Sequence, residues 1–460
     1  MSVTSADATR TNGAHAAAGG GRGLPEASLA DSGKIVAAAL VPALVRGLFK
    51  PRKGALKGLT RIDADRRTVE VLSAVRRKHP GQGVRILGGR MAVLWGEDAI
   101  RQVLDGSADA YDSGAGAKEK GMRHFQPDAL TLSHGEEWRD RRAFADSVLA
   151  YPERVHPLAG HWLAIVADEV DYRLRIGPTM EWDRFERLFD RLTLRVIFGN
   201  RSRDDQAITE GLARLMEQAN NIVGAGDGDS DEYHELIGRL ERKLIDPEPD
   251  SLVARIAGAP QTDRTRVVQQ IPHWIFAMRD TLGANVYRAL AAIVSNAAVE
   301  RRVREEIEDA DLDDVATVDG LRYLEGCLHE AMRLWPTTPL LARETTREVE
   351  LAGERLEEGT QVMIVNTFNH RDAEHVPDAD RLVPERWTEG FSDYRLNHLS
   401  NGAQDCPGGP MVLFLGKAVL ARLLREYDVK LAEPRIEPDR LPHSLDFYAT
   451  RFEVKRRTDA

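Results

Sequence analysis

Cysteine is nearly absent: Cys327 and Cys406 are the only two in 460 residues. That excludes a disulfide framework and fits a reducing compartment, so a cytoplasmic location is expected. A basic surplus is also missing. Asp and Glu outnumber Lys and Arg by 73 to 63, a formal charge of −10, which argues against a nucleic-acid partner. No apolar run approaches the about 20 residues of a spanning helix. The nearest stretch, Ile35 to Val45 in "KIVAAALVPALVRGLFKPRK", is far shorter and has no small-residue cleavage site after it. It reads as a docking helix; membrane contact is not expected, although Lys50, Arg52 and Lys53 beside it permit a weak surface attraction. Internal repeats and Gly/Pro-rich linkers are missing after residue 35, so residues 34–460 are expected to form one domain. Residues 1–33, rich in Ala, Gly and Ser without periodicity, read as a disordered leader.

What is present is mainly helical periodicity. From about residue 97 to 335 apolar residues recur at helical spacing. The longest such segment is "VVQQIPHWIFAMRDTLGANVYRALAAIVSNAAVERRVREEIED", with Pro272 expected near its start. "VRILGGRMAVLWG" predicts a hairpin around Gly88-Gly89, residues 341–366 predict further strands, and the C-terminal "RFEVKRR" allows another. The expected class is mostly α with a small β part.

Three local groupings could carry chemistry. In "HLSNGAQDCPGG", Cys406 stands just before the apolar helix "PMVLFLGKAVLARLL", whose first N–H groups favour a thiolate. The local residues alone favour an inert, buried cysteine. No second Cys or His lies close enough for zinc, so the functional alternative is a lone thiolate on an iron held in a macrocycle. In "HEAMRLWP", Glu330 and Arg333 lie at i, i+3, with Arg386 of "VPERW" a candidate third member. On an exposed helix such a pair contributes only about 0.2–0.5 kcal/mol. This helix is largely apolar, however, and a buried charge pair needs further hydrogen bonds. In "SHGEEWRDRRAF", Trp138 and Arg142 at i, i+4 can together hold a carboxylate; a core Trp beside a solvated Arg is the simpler local reading.

Taken together, these residues resemble the cytochrome P450 superfamily, the heme-thiolate monooxygenases. The family's Phe-x-x-Gly-x-x-x-Cys-x-Gly loop is matched by Leu399, Gly402, Cys406 and Gly408, its Glu-x-x-Arg by Glu330 and Arg333, and its partner arginine by Arg386. Trp138 and Arg142 match the helix that holds a heme propionate, and Arg343 falls where another propionate-binding arginine is expected. Leu399 replaces the usual aromatic residue, and Gln404 stands where His or Arg commonly contacts a propionate. The resemblance runs from about residue 60 to the C-terminus.

The resemblance implies a P450-like fold with one heme b (iron protoporphyrin IX) buried between helices and Cys406 as axial ligand. It implies a soluble bacterial-type monooxygenase, of the kind used in secondary metabolism, that oxidises a small-molecule substrate. Electrons would come from a separate ferredoxin and its reductase, and a monomer is expected. Asp280 and Thr281 match the family's acid–alcohol pair, which delivers protons during oxygen activation, with Met278 where glycine is usual. Family position further places Met278, Arg279, Thr338, Leu340 and Leu341 in the substrate pocket. Arg279 also admits a peroxide-driven branch, in which an arginine in this helix holds a substrate carboxylate; a non-catalytic heme-thiolate sensor is the third reading.

Overall fold

A computed structural model of the chain describes residues 23–114, 116–174, 177–220, 229–388 and 392–457. Helices dominate, and the strands gather into three small sheets. The predicted hairpin is present: Gly83–Ile86 pairs antiparallel with Met91–Leu94. Those strands edge a five-stranded sheet that continues through Gln361–Ile364 and Leu341–Thr345 to Tyr111–Asp112. Only Met91–Leu94 and Gln361–Ile364 run parallel within it. Arg343 lies opposite Val362, so the strand carries this cation into the interior.

Four expectations needed correction. Order begins earlier than residue 34: Leu24 and Ala27 are buried, and Ser28 caps a helix at Leu29–Ile35. Composition missed this because one capping hydroxyl and two apolar side chains suffice to dock so short a segment. Residues 1–22 of the expected leader lie outside the described residues. The long helix is not continuous. It runs as Val267–Phe276, a π-helical turn at Ala277–Leu282, and Gly283–Val294, then breaks where the Asn296 side chain caps Ala297–Ile307. Asn is a strong N-cap, so the polar residue inside an apolar pattern was the stop signal. Pro272 sits at the sixth residue of its helix, not in the first turn. Finally, the helical pattern of "PMVLFLGKAVLARLLREYDV", expected to run to Val429, stops at Glu426, and Tyr427–Glu433 becomes a strand between the helix and the C-terminus. It pairs with Arg451–Arg456, which also pairs with Thr179–Glu181.

The helices Gly283–Val294, Arg322–Leu334 and Gly409–Glu426 form the centre of one large apolar core. Their approach is close at Gly416, where a Cβ would come within 2.5 Å of Leu328 and 3.4 Å of Leu282. A residue with any side chain there would force the helices apart. None of the described helices is long and apolar enough to cross a membrane.

Candidate cofactor site

The cysteine loop is fixed at both ends. The Cys406 N–H donates to the Leu399 carbonyl at 2.9 Å, and Gly409 N–H donates to the Cys406 carbonyl at 3.0 Å as the 409–426 helix begins. Gly402 has φ +70°, and a Cβ there would lie 2.5 Å from the Leu104 carbonyl. The close approach this glycine permits is therefore to the end of helix Glu97–Asp105. At Gly408 the same construction meets nothing nearer than 3.9 Å, so that side of the loop is open. A cleft of about 460 Å³ runs past Cys406, bounded by Tyr151, Arg154, Leu399, Phe414 and Lys417.

Burial pushes the Cys406 thiol above its usual range, opposed by the Gly408 N–H that bonds to the sulfur. Helix-start stabilisation of a thiolate thus loses to desolvation in the protein alone. A metal ion reverses that balance, because coordination removes the thiol proton outright.

Trp138 and Arg142 lie one turn apart in helix Gly135–Leu149. Arg142 donates to Asp146 Oδ1 at 2.7 Å, to the Asp405 carbonyl at 2.9 Å and to Asp405 Oδ1 at 2.7 Å. Tyr151 donates to the other oxygen of Asp405. Arg142 therefore braces the residue just before Cys406. The Trp138 indole N–H has no protein acceptor among the described residues.

Arg343 is 5% exposed, and its guanidinium reaches only the Ser107 hydroxyl and the Ala342 carbonyl, each at 2.9 Å. Burial depresses it to about 10. Beside it, Lys118 turns its ammonium inward onto the Ser113 and Thr131 carbonyls and the Thr131 hydroxyl, at 2.8–3.0 Å. Burial and the neighbouring Arg343 push this lysine down to about 7. Neither cation has a carboxylate within ion-pair distance among the described residues. Asp112 lies near both without pairing with either; two neighbouring cations that no carboxylate contacts are costly, and a carboxylate in contact is what the nest lacks. The buried Gln404 Oε1, two residues before Cys406, is likewise without a donor.

These features fit an iron macrocycle that carries acidic side arms: a lone sulfur on one side, and unpaired cations with a free indole N–H to hold the acids. Lys118 was missed by sequence reasoning. One of the two lysines in "GAGAKEKGM" has no distinguishing pattern, and only its position beside Arg343 marks it.

Glu330 and Arg333 are both fully buried, bonded at 2.7 and 2.8 Å. Arg333 also donates to the carbonyls of His370, Ala379 and Arg381. Glu330 additionally accepts from Val383 N–H and the Trp387 indole, each at 2.9 Å, with Arg386 Nε 3.4 Å away. Arg333 and the sequence-distant Arg386 thus meet at one carboxylate, which ties helix Arg322–Leu334 to the chain leading into the cysteine loop.

Asp280 and Thr281 lie in the π-helical turn, a geometry common at functional sites. One Asp280 oxygen accepts from Arg279 at 2.8 Å; the other is buried without a partner. Burial raises the Asp280 carboxyl, with Arg279 opposing. Arg279 is gripped by Asp190, by Glu186 at 3.2 Å and by Asp280. Burial pushes this guanidinium down, but the three carboxylates outweigh it and hold its pKa above normal. The five expected pocket residues fall in separate surroundings. Met278 is in the main core, Leu341 packs beneath the five-stranded sheet, Leu340 rests on the neighbouring cluster, Thr338 is exposed, and Arg279 faces helix Trp182–Phe198.

Fold and loop together fit a thiolate site for an iron held in a macrocycle. Residues 247–452 match the sequence profile of the cytochrome P450 family. Similar proteins include human cytochrome P450 4V2, 30% identical over 178 residues, covering 37% of this chain and 34% of that protein. Another is cytochrome P450 monooxygenase sphH of Aspergillus fumigatus, 27% identical over 248 residues, covering 49% and 46%. Tabersonine 6,7-epoxidase isoform 2 of Catharanthus roseus is 31% identical over 153 residues, covering 31% and 30%. The chain spans about a third of the length of the first curated relatives it matches. Residues 247–452 thus carry the profile of the cytochrome P450 family, whose cofactor is heme b. Cys406, Arg343, the Glu330 cluster and Asp280 fall within the matched stretch; Trp138, Arg142 and Lys118 precede it.

Proposed function

We propose that this protein is a heme-thiolate monooxygenase that oxidises a small organic molecule with electrons from a separate carrier protein. The observation that carries the reading is the pairing of a lone cysteine in a braced loop with the unpaired cations Arg343 and Lys118. Bound heme supplies oxygen-transfer chemistry, which a cysteine ligand favours by donating electron density. Cys406 is the ligand; Arg343, Lys118 and Trp138 hold the acidic arms; Arg142 acts through Asp405 to position the ligand loop. Asp280, whose second oxygen is buried without a partner, would pass protons at Oδ2, with Thr281 next to it in the same turn. The cleft beside Cys406 gives the carrier access to the loop; a ferredoxin is the carrier we propose, and an O2-dependent role in secondary metabolism and a cytoplasmic monomer complete the reading.

The peroxide-driven alternative needs Arg279 free to hold a substrate carboxylate. Three protein carboxylates already occupy it, which favours the O2-dependent reaction. The test is spectroscopic. The reduced, CO-treated protein should show the Soret band typical of thiolate ligation, and Cys406→Ser should lose it while keeping its helical circular dichroism. An unchanged band would overturn the ligand assignment. Turnover with a surrogate ferredoxin and reductase, without turnover on added peroxide, is expected; the reverse would overturn the O2-dependent reading.

A further inference from the structure

A second charged cluster lies away from the cysteine loop, in a cavity of about 20 Å³ lined by Arg46, Asp65, Arg288, Trp335, Arg371 and His443. It joins the N-terminal helices Val41–Arg46 and Ala64–Lys78 to helix Gly283–Val294 and to the loop before the final strand. Its charges do not balance. Arg46 is neutralised by Asp65, which it meets at 2.6 and 2.7 Å and which also accepts from Ser444. Arg371 is neutralised by Asp380 at 2.9 Å, which His443 also approaches through Nε2 at 3.1 Å. Arg288 is left over. It is 9% exposed, donates to the Trp335 carbonyl at 3.0 Å and lies over the Phe447 ring, with no carboxylate in ion-pair reach among the described residues. Burial and the nearby Arg46 push it down to about 10, opposed at longer range by Asp65 and Asp446.

The cavity also holds unmet hydrogen-bonding capacity. Arg46 Nε, Arg288 Nε and His443 Nδ1 are all buried without a partner among the described residues. Two of these are obligate donors, and the third donates in the imidazolium form. A water needs about 10–15 Å³ of such space and acceptors for its own two protons. A single monovalent anion can accept from both guanidinium N–H groups and places a negative charge beside Arg288. The cavity is narrow, so a compact spherical anion suits it better than phosphate, sulfate or an organic acid.

We propose that this cavity is a binding site for one small monovalent anion of halide size, which fastens the N-terminal helices to the 283–294 helix. The heme-loaded protein should be crystallised with sodium bromide replacing sodium chloride and measured at the bromine edge. An anomalous peak inside the cavity, within hydrogen-bond distance of Arg288 Nε and Arg46 Nε, is expected. In parallel, the unfolding midpoint should be followed as chloride replaces gluconate at constant ionic strength. A saturable rise of about 2 °C is expected at tenfold excess over the dissociation constant, and Arg288→Met should abolish it. A cavity holding only ordered water and no anomalous peak, or a chloride response that Arg288→Met retains, would overturn the proposal. If Arg288→Met does not fold, the bromide map of the unaltered protein decides alone.

Discussion

Glu330 is the position where a single atom's worth of charge should matter most. Its carboxylate is fully buried and receives the Arg333 guanidinium twice, the Val383 N–H and the Trp387 indole, with Arg386 alongside. Glu330→Ala takes the carboxylate away from two buried guanidiniums, Arg333 and Arg386, and from two neutral donors. Arg333 keeps three carbonyl partners, which hydrogen-bond the cation but do not neutralise it. Breaking one side of a buried pair costs about 3–5 kcal/mol, out of a total stability of about 5–15 kcal/mol. Arg333→Ala fails differently. The carboxylate retains Arg386 and two donors, but three buried carbonyls lose theirs, at about 1–3 kcal/mol each. Both singles should therefore destabilise by similar amounts for different reasons. The double variant should cost less than the sum of the singles by about 2–3 kcal/mol, since the stranded charge is gone. Denaturant unfolding of all four proteins, at matched heme content, measures the cycle. A Glu330→Ala loss below about 1 kcal/mol, or strict additivity, would refute the reading that one carboxylate organises this region.

Three further outcomes follow from the geometry. Burial pushes His156 down to about 4 and His370 to about 3, against an unfolded value of 6.5. The unfolded chain therefore takes up protons first, and stability should fall as pH drops from about 6.5 to 4, by roughly 3 kcal/mol for each ring across that window; unfolding midpoints that stay flat between pH 7 and 4.5 would contradict this. Lys118→Met removes an enclosed cation with no counter-charge, so the heme-free chain should unfold at a higher midpoint while heme passes faster to an acceptor protein; slower heme loss would remove Lys118 from the site. Gly402→Ala places a Cβ against the Leu104 carbonyl at a left-handed φ, and should lower thermal stability and heme content together, whereas a fully loaded variant of unchanged midpoint would count against the tight contact.

Much of this was legible from local pattern. Glu330 and Arg333 are one turn apart on a helix rich in apolar residues, so their burial follows from periodicity alone. The hairpin around Gly88-Gly89 announces itself by its turn. What the sequence hides is long-range. Nothing near Arg142 says that its partner is Asp405, 263 residues away. Nothing in "AMRDTL" distinguishes a π-helical turn from an α-helical one, because the difference is one hydrogen-bond register, set by packing against helix Trp182–Phe198. Arg279 reads as a free cation in the sequence; only the fold delivers Asp190 and Glu186 to it. Lys118 needed the strand at Leu341–Thr345 in place before its neighbour Arg343 could mark it.

The brace on Asp405 has a kinetic meaning. Arg142 and Tyr151 fix the residue preceding Cys406 from a helix and a turn that belong to the protein's own core. The ligand's backbone is therefore already in place when the chain has folded without cofactor. Capture then requires little ordering of the loop, so uptake should be limited by entry into the site rather than by loop folding. With Cys406 as the proposed ligand, escape would require breaking its bond to the iron against a backbone that does not yield. A loosened brace, with Asp405 released, would speed departure far more than arrival.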